Sequence, residues 1–429
     1  MRATDHAELT WYEATATRGT PEPTLVGAVA ADICVVGGGL AGLTAALELA
    51  RRGKQVVLLE AKRIAWAASG RNGGFVSNGF AQGLDAIASR IGKEATRHLY
   101  ELSRFGTEYV RREIGDGDPS IRMGEGWLTA MRHDDAGRLR RLRDRLASDY
   151  GVSWHYLDRA ETQAHMASDR YYQGVFDPTA FHMHPLRYGL LLAARAKASG
   201  VRIFENTAAL SIAANGSGQV VRAAGGEVRA GEIVVAVAAL DRTLHRLTGR
   251  AVLPVATYVA VTGPMDQNVI APGKALSDTR RAGNYFRSID EGRILWGGAI
   301  TTKVSEPKRL AEVMRQDMVE TFPQLAAARM EYAWAGLMAY ALHKMPLIGG
   351  DGRGLWWATG FGGHGMNTTA MAGILLARAI AGGDDEYRRF SAFAPRWAGG
   401  PFGRAGVQAS YWWMQLRDRF DEARSRRKR

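Results

Sequence analysis

One stretch of the sequence reads Asp32-Ile33-Cys34-Val35-Val36-Gly37-Gly38-Gly39-Leu40-Ala41-Gly42. Its first five residues are mostly apolar and β-branched, which predicts a short buried strand. Behind the glycines, Leu43 and Leu47 recur at helical spacing, and a second apolar strand, Val56-Val57-Leu58-Leu59, ends at Glu60. The order strand, glycine turn, helix, strand predicts a βαβ unit with a right-handed crossover.

The glycine turn fits the pattern G-x-G-x-x-G of dinucleotide-binding folds. Gly37 permits the tight turn, Gly39 lets a pyrophosphate approach the backbone, and Gly42 lets helix and strand pack closely. The phosphates then meet free N–H groups at the positive end of the helix dipole. A carboxylate at the end of the second strand accepts the ribose hydroxyls. The contacts predicted for this unit are Gly37, Gly39, Leu40, Ala41, Gly42, Glu60, Ala61 and Arg63, with Arg63 expected to face the phosphates.

Two further glycine loops help to choose between NAD and FAD, which both use such a unit. The second loop reads Ser69-Gly70-Arg71-Asn72-Gly73-Gly74 and offers hydroxyl, amide and guanidinium donors. The third reads Thr359-Gly360-Phe361-Gly362-Gly363-His364-Gly365-Met366-Asn367 and precedes a long apolar helix. Such a density of glycine predicts a backbone that approaches something large or flat. The N-terminus of the following helix could stabilise the negative charge of a reduced flavin by about 0.3–2 kcal/mol. Three glycine loops therefore favour FAD over NAD.

The composition is that of a globular protein. The chain has 429 residues, 46% hydrophobic and 23% charged, so disorder over most of its length is excluded. No run of about 20 uninterrupted apolar residues exists to span a membrane, and we expect no secretory signal. The one cysteine, Cys34, excludes intramolecular disulfides and a thiolate metal cluster, which fits a cytoplasmic protein.

The formal net charge is +13, with basic residues concentrated at 138–145 and 424–429. We interpret both clusters as solvated surface and expect no nucleic-acid partner. A nucleic-acid-modifying flavoprotein that uses the basic tail is the alternative.

The nucleotide-type elements are interrupted by two strand-rich insertions. We therefore expect an α/β chain, α+β overall, with a Rossmann-type FAD-binding domain assembled from discontinuous segments and an antiparallel-sheet substrate domain. Residues 1–30 form an N-terminal lead-in. The FAD-binding domain takes 31–117, 184–250 and 341–395, the substrate domain takes 118–183 and 251–340, and 396–429 form a C-terminal basic tail.

With these motifs the sequence resembles the FAD-dependent oxidoreductases of the D-amino-acid oxidase and sarcosine oxidase type. Further anchors are Tyr285-Phe286-Arg287, the glycine-containing segment 292–298 and Met345-Pro346-Leu347-Ile348-Gly349, so the resemblance covers nearly the whole chain. The second glycine loop and the early Trp11-Tyr12 are most similar to the γ-glutamylputrescine oxidoreductase branch.

The resemblance implies oxidation of an amine C–N bond. A hydride passes from the carbon next to nitrogen to flavin N5, and the imine hydrolyses to an aldehyde plus ammonia or an amine. Oxygen is expected to accept the electrons of the reduced flavin, which gives hydrogen peroxide. Another electron acceptor is the alternative. The resemblance also implies that the backbone near Ala209 contacts the adenine.

Two departures from sarcosine oxidases bear on cofactor and substrate. Those enzymes carry a flavin-linked cysteine in the neighbourhood of residues 336–340 and a lysine about where Asn367 lies, and neither is present here. The FAD is therefore expected not to be cysteinyl-linked and to be non-covalent. The expected substrate is a small primary or secondary amine, such as a γ-glutamylputrescine-like polyamine conjugate. An amino-acid oxidase or dehydrogenase of the same fold is the alternative.

Hydride transfer needs a neutral amine, which an apolar aromatic pocket favours by desolvation. The expected pocket walls are Tyr285, Trp296, Trp334, Tyr340 and Phe361. The residues predicted to act on substrate or flavin are Tyr340, His343, His364 and Tyr285. His182 and His184 resemble a pair of metal ligands, but no carboxylate or cysteine completes the set, so no metal is predicted.

Overall fold

A computed structural model describes residues 10–115, 118–216, 218–239, 242–266, 268–280, 283–305 and 307–427. The strands are β1 (Gly27–Val36), β2 (Val56–Leu59), β3 (Phe75–Val76), β4 (Arg122–Ala130), β5 (His155–Leu157), β6 (Gly174–Met183), β7 (Arg202–Phe204), β8 (Ala209–Asn215), β9 (Gly218–Ala223), β10 (Gly226–Val235), β11 (Val252–Thr262), β12 (Ala275–Asp278), β13 (Tyr285–Ser288), β14 (Ile294–Thr301), β15 (Met330–Ala341), β16 (Leu347–Gly350) and β17 (Leu355–Thr359). The helices are α1 (Trp11–Thr15), α2 (Leu40–Ala50), α3 (Ala68–Arg71), α4 (Leu84–Ile91), α5 (Lys93–Ile114), α6 (Ala136–Tyr150), α7 (Arg159–Ala164), α8 (Pro185–Ala198), α9 (Arg246–Ala251), α10 (Leu310–Thr321), α11 (Gly365–Gly382) and α12 (Gly400–Arg426). Among the described residues, no helix combines the length and the hydropathy that a membrane span requires.

The first sheet is built around five parallel strands in the order β17-β10-β1-β2-β7. β16 adds an antiparallel edge, and the β8–β9 hairpin extends β10. Its strands come from three separated parts of the chain. The prediction of a Rossmann-type sheet assembled from discontinuous segments is therefore confirmed.

The central strands of this sheet are buried on both faces. Ile33 and Val35 face the helices α2 and α11, whereas Cys34 and Val36 join a second apolar cluster on the opposite face. Two-sided burial explains the continuous apolar run in β1. α2 and α11 also approach closely, because a Cβ built on Gly373 would lie 2.8 Å from the backbone nitrogen of Ala45.

The second sheet follows the order β15-β11-β14-β13-β12-β4-β6-β3, with β5 paired to β6. Its strand pairs are antiparallel except for β4 and β12. One face packs on α10 through Phe286 and Trp296. The other face turns Leu295 and Trp334 into the cluster that also holds α2 and α11. The two sheets therefore share a core, and the glycine loops lie at this junction.

Several predicted elements are confirmed, among them the helices α2 and α11 and the strands β1 and β2. The lead-in contains the short helix α1, whose N-terminus Thr10 caps by accepting the N–H of Glu13. The C-terminal basic tail contains α12, a 27-residue helix that the sequence patterns did not predict.

Candidate active site

The first glycine loop joins β1 to α2 in a geometry that side chains would prevent. Gly37 has φ +113°, and a Cβ on it would lie 2.8 Å from the carbonyl oxygen of Ala236. A Cβ on Gly42 would overlap the carbonyl oxygen of Gly37, so its absence lets α2 begin against the end of β1. Gly39 is the N-cap of α2 and supplies no side-chain cap. The first turn of α2, which includes Leu40 and Ala41, therefore suits an external anionic acceptor.

Glu60 lies directly beneath this loop. One carboxylate oxygen accepts the N–H of Gly38 at 2.7 Å, and the other accepts the N–H of Lys62, beyond Ala61, at 2.8 Å. Burial raises the pKa of Glu60, and these two donors oppose the rise. Each oxygen keeps a lone pair for a further donor such as a ribose hydroxyl.

The chain near Ala209 is tied to the same place. The N–H of Thr207 donates to the backbone oxygen of Glu60 at 2.8 Å, and Ala209 begins β8 two residues later. The structure therefore puts the segment expected to contact adenine beside the carboxylate expected to contact ribose.

Arg63 has a different set of partners from those expected. Its Nε donates to Glu205 at 2.9 Å, and a terminal nitrogen donates to the carbonyl oxygen of Gly19 at 2.9 Å. The Glu205 carboxylate also accepts the N–H groups of Glu22 and Ile64. Arg63 thus joins the lead-in to the loop that follows β2.

The second glycine loop contacts both the first loop and the second sheet. The hydroxyl of Ser69 accepts the N–H of Leu40 at 3.0 Å, at the start of α2. Gly70 and Gly74 lie where a Cβ would overlap the carbonyl oxygens of Ala65 and Met183, and Gly74 has φ +78°. A Cβ on Gly73 would lie 2.5 Å from the ring of Tyr285. Gly73 and Gly74 therefore let the loop pack closely against the second sheet.

The polar side chains of this loop bond to backbone atoms of the loop itself and of β15. The Asn72 amide donates to the carbonyl oxygens of Ala68 and Ser69 and accepts the N–H of Gly74 at 2.8 Å. The Nε of Arg71 donates to the carbonyl oxygen of Ala335 at 3.2 Å, and the Arg71 backbone oxygen accepts the indole N–H of Trp334. Arg71 and Trp334 thus fasten the loop to β15.

The third glycine loop packs against Tyr340 of β15. Gly360 and Gly362 have φ +74° and +59°, and a Cβ on Gly362 would lie 2.5 Å from the Tyr340 ring. The N–H of Gly363 donates to the Tyr340 hydroxyl at 2.9 Å, and Phe361 forms a backbone bridge to Tyr340. Burial raises the pKa of Tyr340, so its phenol stays protonated at neutral pH.

His364 connects the third loop to the chain that follows the second. Its Nε2 lies 3.1 Å from the carbonyl oxygen of Asn78 and 3.3 Å from that of Ser77, so this nitrogen carries a proton and donates. Burial lowers the pKa of His364, which keeps the ring neutral. Beyond Gly365 and Met366, the buried amide of Asn367 donates to the carbonyl oxygens of Gly79 and Ser103. His364 gives the N-terminus of α11 no side-chain cap.

The four predicted catalytic residues are not all brought together. Tyr340 and His364 lie at the third loop, and Tyr285 lies at the second, where its ring packs on Phe75 with centroids 5.5 Å apart. His343 instead packs on Phe393, with ring centroids 5.4 Å apart, and its Nδ1 accepts the N–H of Met345. Among the expected pocket walls, Trp296 lies on the opposite face of the second sheet and stacks on Phe286.

Sequence reasoning missed a buried cation next to the second loop. Arg287 of β13 is 0% exposed and, among the described residues, forms no ion pair. One terminal nitrogen donates to Nδ1 of His182 at 2.8 Å, and the other donates to the hydroxyl of Tyr12 at 3.1 Å. Its Nε has no hydrogen-bond partner in the part of the chain that the structure describes. The Tyr-Phe-Arg motif contains this residue, and its alternation with Phe286 could have indicated that it faces the glycine loops.

The two histidines considered as metal ligands have different hydrogen-bond partners. Nε2 of His182 lies 3.0 Å from the carbonyl oxygen of Gly273, whereas Nε2 of His184 lies 3.1 Å from the hydroxyl of Thr15. Burial lowers the pKa of His182 to about 3, and the nearby Arg287 adds to this shift. Burial also lowers the pKa of His184 to about 2. Among the described residues, no group of three or more potential metal ligands is found.

The three loops together suit a dinucleotide with a large flat ring. The first supplies a helix N-terminus whose N-cap residue, Gly39, has no side chain, above a buried carboxylate. The second and third supply bare backbone, and His364 holds them together. The two helix N-termini favour negative charge, which both a pyrophosphate and a reduced flavin carry.

Comparison with known proteins agrees with this geometry. Residues 32–379 match the family model described as DAO, FAD dependent oxidoreductase. Gamma-glutamylputrescine oxidoreductase of Escherichia coli K12 is 31% identical over 399 residues, which cover 91% of this chain and 92% of that protein. The probable oxidoreductase OrdL of Haemophilus influenzae is 31% identical over 370 residues, or 84% of this chain and 85% of that protein. The crystal structure of glycine oxidase from Geobacillus kaustophilus superimposes with a TM-score of 0.71 at 19% identity, covering 86% of this chain and 99% of that one. The chain belongs to the DAO family of FAD-dependent oxidoreductases.

Proposed function

We propose that this enzyme oxidises an amine C–N bond, that its substrate is a γ-glutamylputrescine-like polyamine conjugate, and that it works in the cytoplasm. FAD, when bound, supplies the hydride acceptor. The substrate carbon next to nitrogen loses a hydride and the nitrogen loses a proton, so a C–N single bond becomes an imine. Water then adds, and the products are an aldehyde and ammonia or an amine. Molecular oxygen takes the two electrons and two protons and leaves as hydrogen peroxide.

The observation that carries the proposal is the pair of phenols, Tyr340 and Tyr285, packed on adjoining glycine loops. Burial raises the pKa of both, so neither brings a negative charge that would hold an ammonium in its charged form. His364, whose pKa burial lowers, adds no positive charge. A neutral amine is the form whose lone pair can assist hydride loss. These residues therefore serve by excluding water and orienting the substrate.

The residues proposed to hold the FAD are those of the three loops. The first turn of α2 from Gly39 to Gly42 would take the pyrophosphate, and Glu60 would take the ribose. Ser69 to Gly74 and Gly360 to Asn367 would line the flavin. Cys34, the one cysteine, is fully buried in β1, which supports non-covalent binding.

The identity with Gamma-glutamylputrescine oxidoreductase supports the conjugate as substrate. Asn367 supports an amine over an α-amino acid, because its buried amide is engaged by Gly79 and Ser103 and offers no cation to a carboxylate. The test is an anaerobic screen of γ-glutamylputrescine, putrescine and common amino acids for bleaching of the flavin absorption. We expect the conjugate to bleach the flavin fastest, and a faster α-amino acid would contradict the proposal.

Oxidation of an α-amino acid is the second candidate, and Arg287 is the observation that favours it. This buried guanidinium lies against Gly74 of the second loop, and no described residue accepts a hydrogen bond from its Nε. An α-carboxylate would neutralise such a charge. The test compares turnover of an amine with that of its α-carboxylated analogue in the wild-type, Arg287→Lys and Arg287→Met enzymes. If the carboxylated substrate turns over faster and loses this advantage only in Arg287→Met, the second candidate holds.

A further inference from the structure

The C-terminal helix α12 presents an apolar stripe to the outside of the molecule. Phe402, Trp413 and Phe420 are 84%, 61% and 69% exposed, and Trp412 and Leu416 are exposed as well. Positions 402, 406, 409, 413, 416 and 420 follow helical spacing and read Phe, Gly, Ala, Trp, Leu and Phe, so one face of the helix is apolar. The stripe is about 27 Å long at 1.5 Å per residue. A helix on the surface of a globular protein normally turns such a face inward.

Polar contacts on its inward side hold α12 in this orientation. The side-chain oxygen of Gln408 accepts the N–H of Thr302 at 2.9 Å, and Arg404 donates to the carbonyl oxygen of Thr302 at 3.1 Å. Nearer the C-terminus, Glu422 pairs with the buried Arg132 at 3.3 Å. A rotation that buried the aromatic stripe would break all of these contacts. The exposure of the stripe is therefore a property of the folded chain.

Basic residues accompany the stripe. Arg417, Arg419, Arg424 and Arg427 are exposed, and the sequence continues with Lys428 and Arg429. The three acidic residues of α12 lie away from this side, because Asp418 is buried and Asp421 and Glu422 are half-buried. An exposed aromatic face flanked by arginines complements a layer of apolar chains beneath anionic headgroups.

We propose that α12 docks the enzyme on an anionic phospholipid membrane, with the helix lying flat at the interface. Phe402, Trp413 and Phe420 enter the boundary between headgroups and acyl chains, and the arginines pair with lipid phosphates. In this arrangement α12 lies on the membrane without crossing it, which agrees with a cytoplasmic enzyme on the inner face of a membrane. It does not depend on which amine the enzyme oxidises.

Docking would bring the candidate site close to the lipid. A Cβ on Gly403 of α12 would lie 3.5 Å from the side chain of Leu253 in β11, and Leu253 is paired with Tyr340 of β15. α12 therefore runs beside the candidate site with its apolar stripe on the opposite side.

The test is sedimentation of the full-length, flavin-loaded enzyme with vesicles of phosphatidylcholine alone or mixed with phosphatidylglycerol. We expect binding to the mixed vesicles, reduced about tenfold or more by each of Phe402→Gln and Trp413→Gln because each removes a large apolar side chain that docking would bury. Each of Arg417→Gln and Arg424→Gln should reduce binding about fivefold at low salt, with a smaller effect at high salt.

The matched controls are Val313→Gln on α10 and Leu247→Gln on α9, which replace side chains that are 47% and 48% exposed. They should leave vesicle binding unchanged. Thermal unfolding and flavin content of every variant establish that it is folded. Failure of the wild-type enzyme to bind the mixed vesicles overturns the proposal. So does light scattering that finds a dimer which Trp413→Gln converts to a monomer, because the stripe would then be covered by a second copy.

Discussion

Replacing Gly37 by alanine tests whether the first loop is built around missing side chains. The φ of +113° costs an alanine about 1–2 kcal/mol. Its Cβ would also lie 2.8 Å from the carbonyl oxygen of Ala236, closer than side chains normally approach. Moving the end of β10 away adds about 1–3 kcal/mol. We therefore expect Gly37→Ala to lower the free energy of unfolding by about 2–5 kcal/mol and to deplete the purified enzyme of FAD, because the turn and the start of α2 shift together.

The assay is denaturant unfolding combined with the ratio of flavin to protein absorbance. Gly53→Ala is the matched control, since Gly53 has φ +77° but a Cβ on it would have no atom within 4 Å. It should lose only about 1–2 kcal/mol and keep its FAD. Equal losses in the two variants, or a Gly37→Ala enzyme that retains all of its FAD, would refute the close-approach argument.

Three further predictions concern the loops and the buried cluster. Glu60→Ala leaves the N–H of Gly38 without its acceptor, so FAD retention should fall and the free energy of unfolding should drop by about 1–3 kcal/mol. Flavin titration and denaturant unfolding measure these two effects, and Glu312→Ala, at an exposed position of α10, should change neither. Tyr340→Phe removes the acceptor of the Gly363 N–H, which should cost about 1 kcal/mol in a denaturant melt and slow flavin reduction by substrate without releasing FAD. Because the pKa values of His182 and His184 are about 3 and about 2 in the folded chain, the unfolded chain binds protons first as the pH falls. The stability that the two neutral histidines contribute is fully present above the unfolded pKa of about 6.5. Between about pH 6 and about pH 5 the free energy of unfolding falls by about 1 kcal/mol per histidine. His182→Gln should make this fall smaller when stability is measured across that range.

The glycine loops could be predicted because their signals are local. Gly37, Gly39 and Gly42 sit between a strand and a helix whose apolar spacings are visible within twenty residues. A turn that needs a positive φ or a close backbone approach restricts the residue type at that position, whatever the rest of the chain does. The order of strands and helices around each loop then followed from periodicity.

The partners of charged side chains could not be predicted in the same way. Arg63 pairs with Glu205 across 142 positions, and Arg287 reaches Tyr12 across 275. Such contacts depend on how the two sheets are placed against each other, and no local pattern encodes that placement. The apolar spacing of α12 is also present in the sequence. Spacing shows that one face of the helix is apolar, but it does not show whether that face points into the protein or outward. The polar contacts of Gln408 and Glu422 decide that the face points outward.

Three loops of bare backbone are proposed to hold one FAD without a covalent bond. The most direct measurement is the visible absorption spectrum of the purified enzyme, followed by acid precipitation and analysis of the supernatant. We predict flavin bands at about one FAD per chain and full release of FAD into the supernatant. A colourless protein that takes up no FAD when it is supplied would contradict the account.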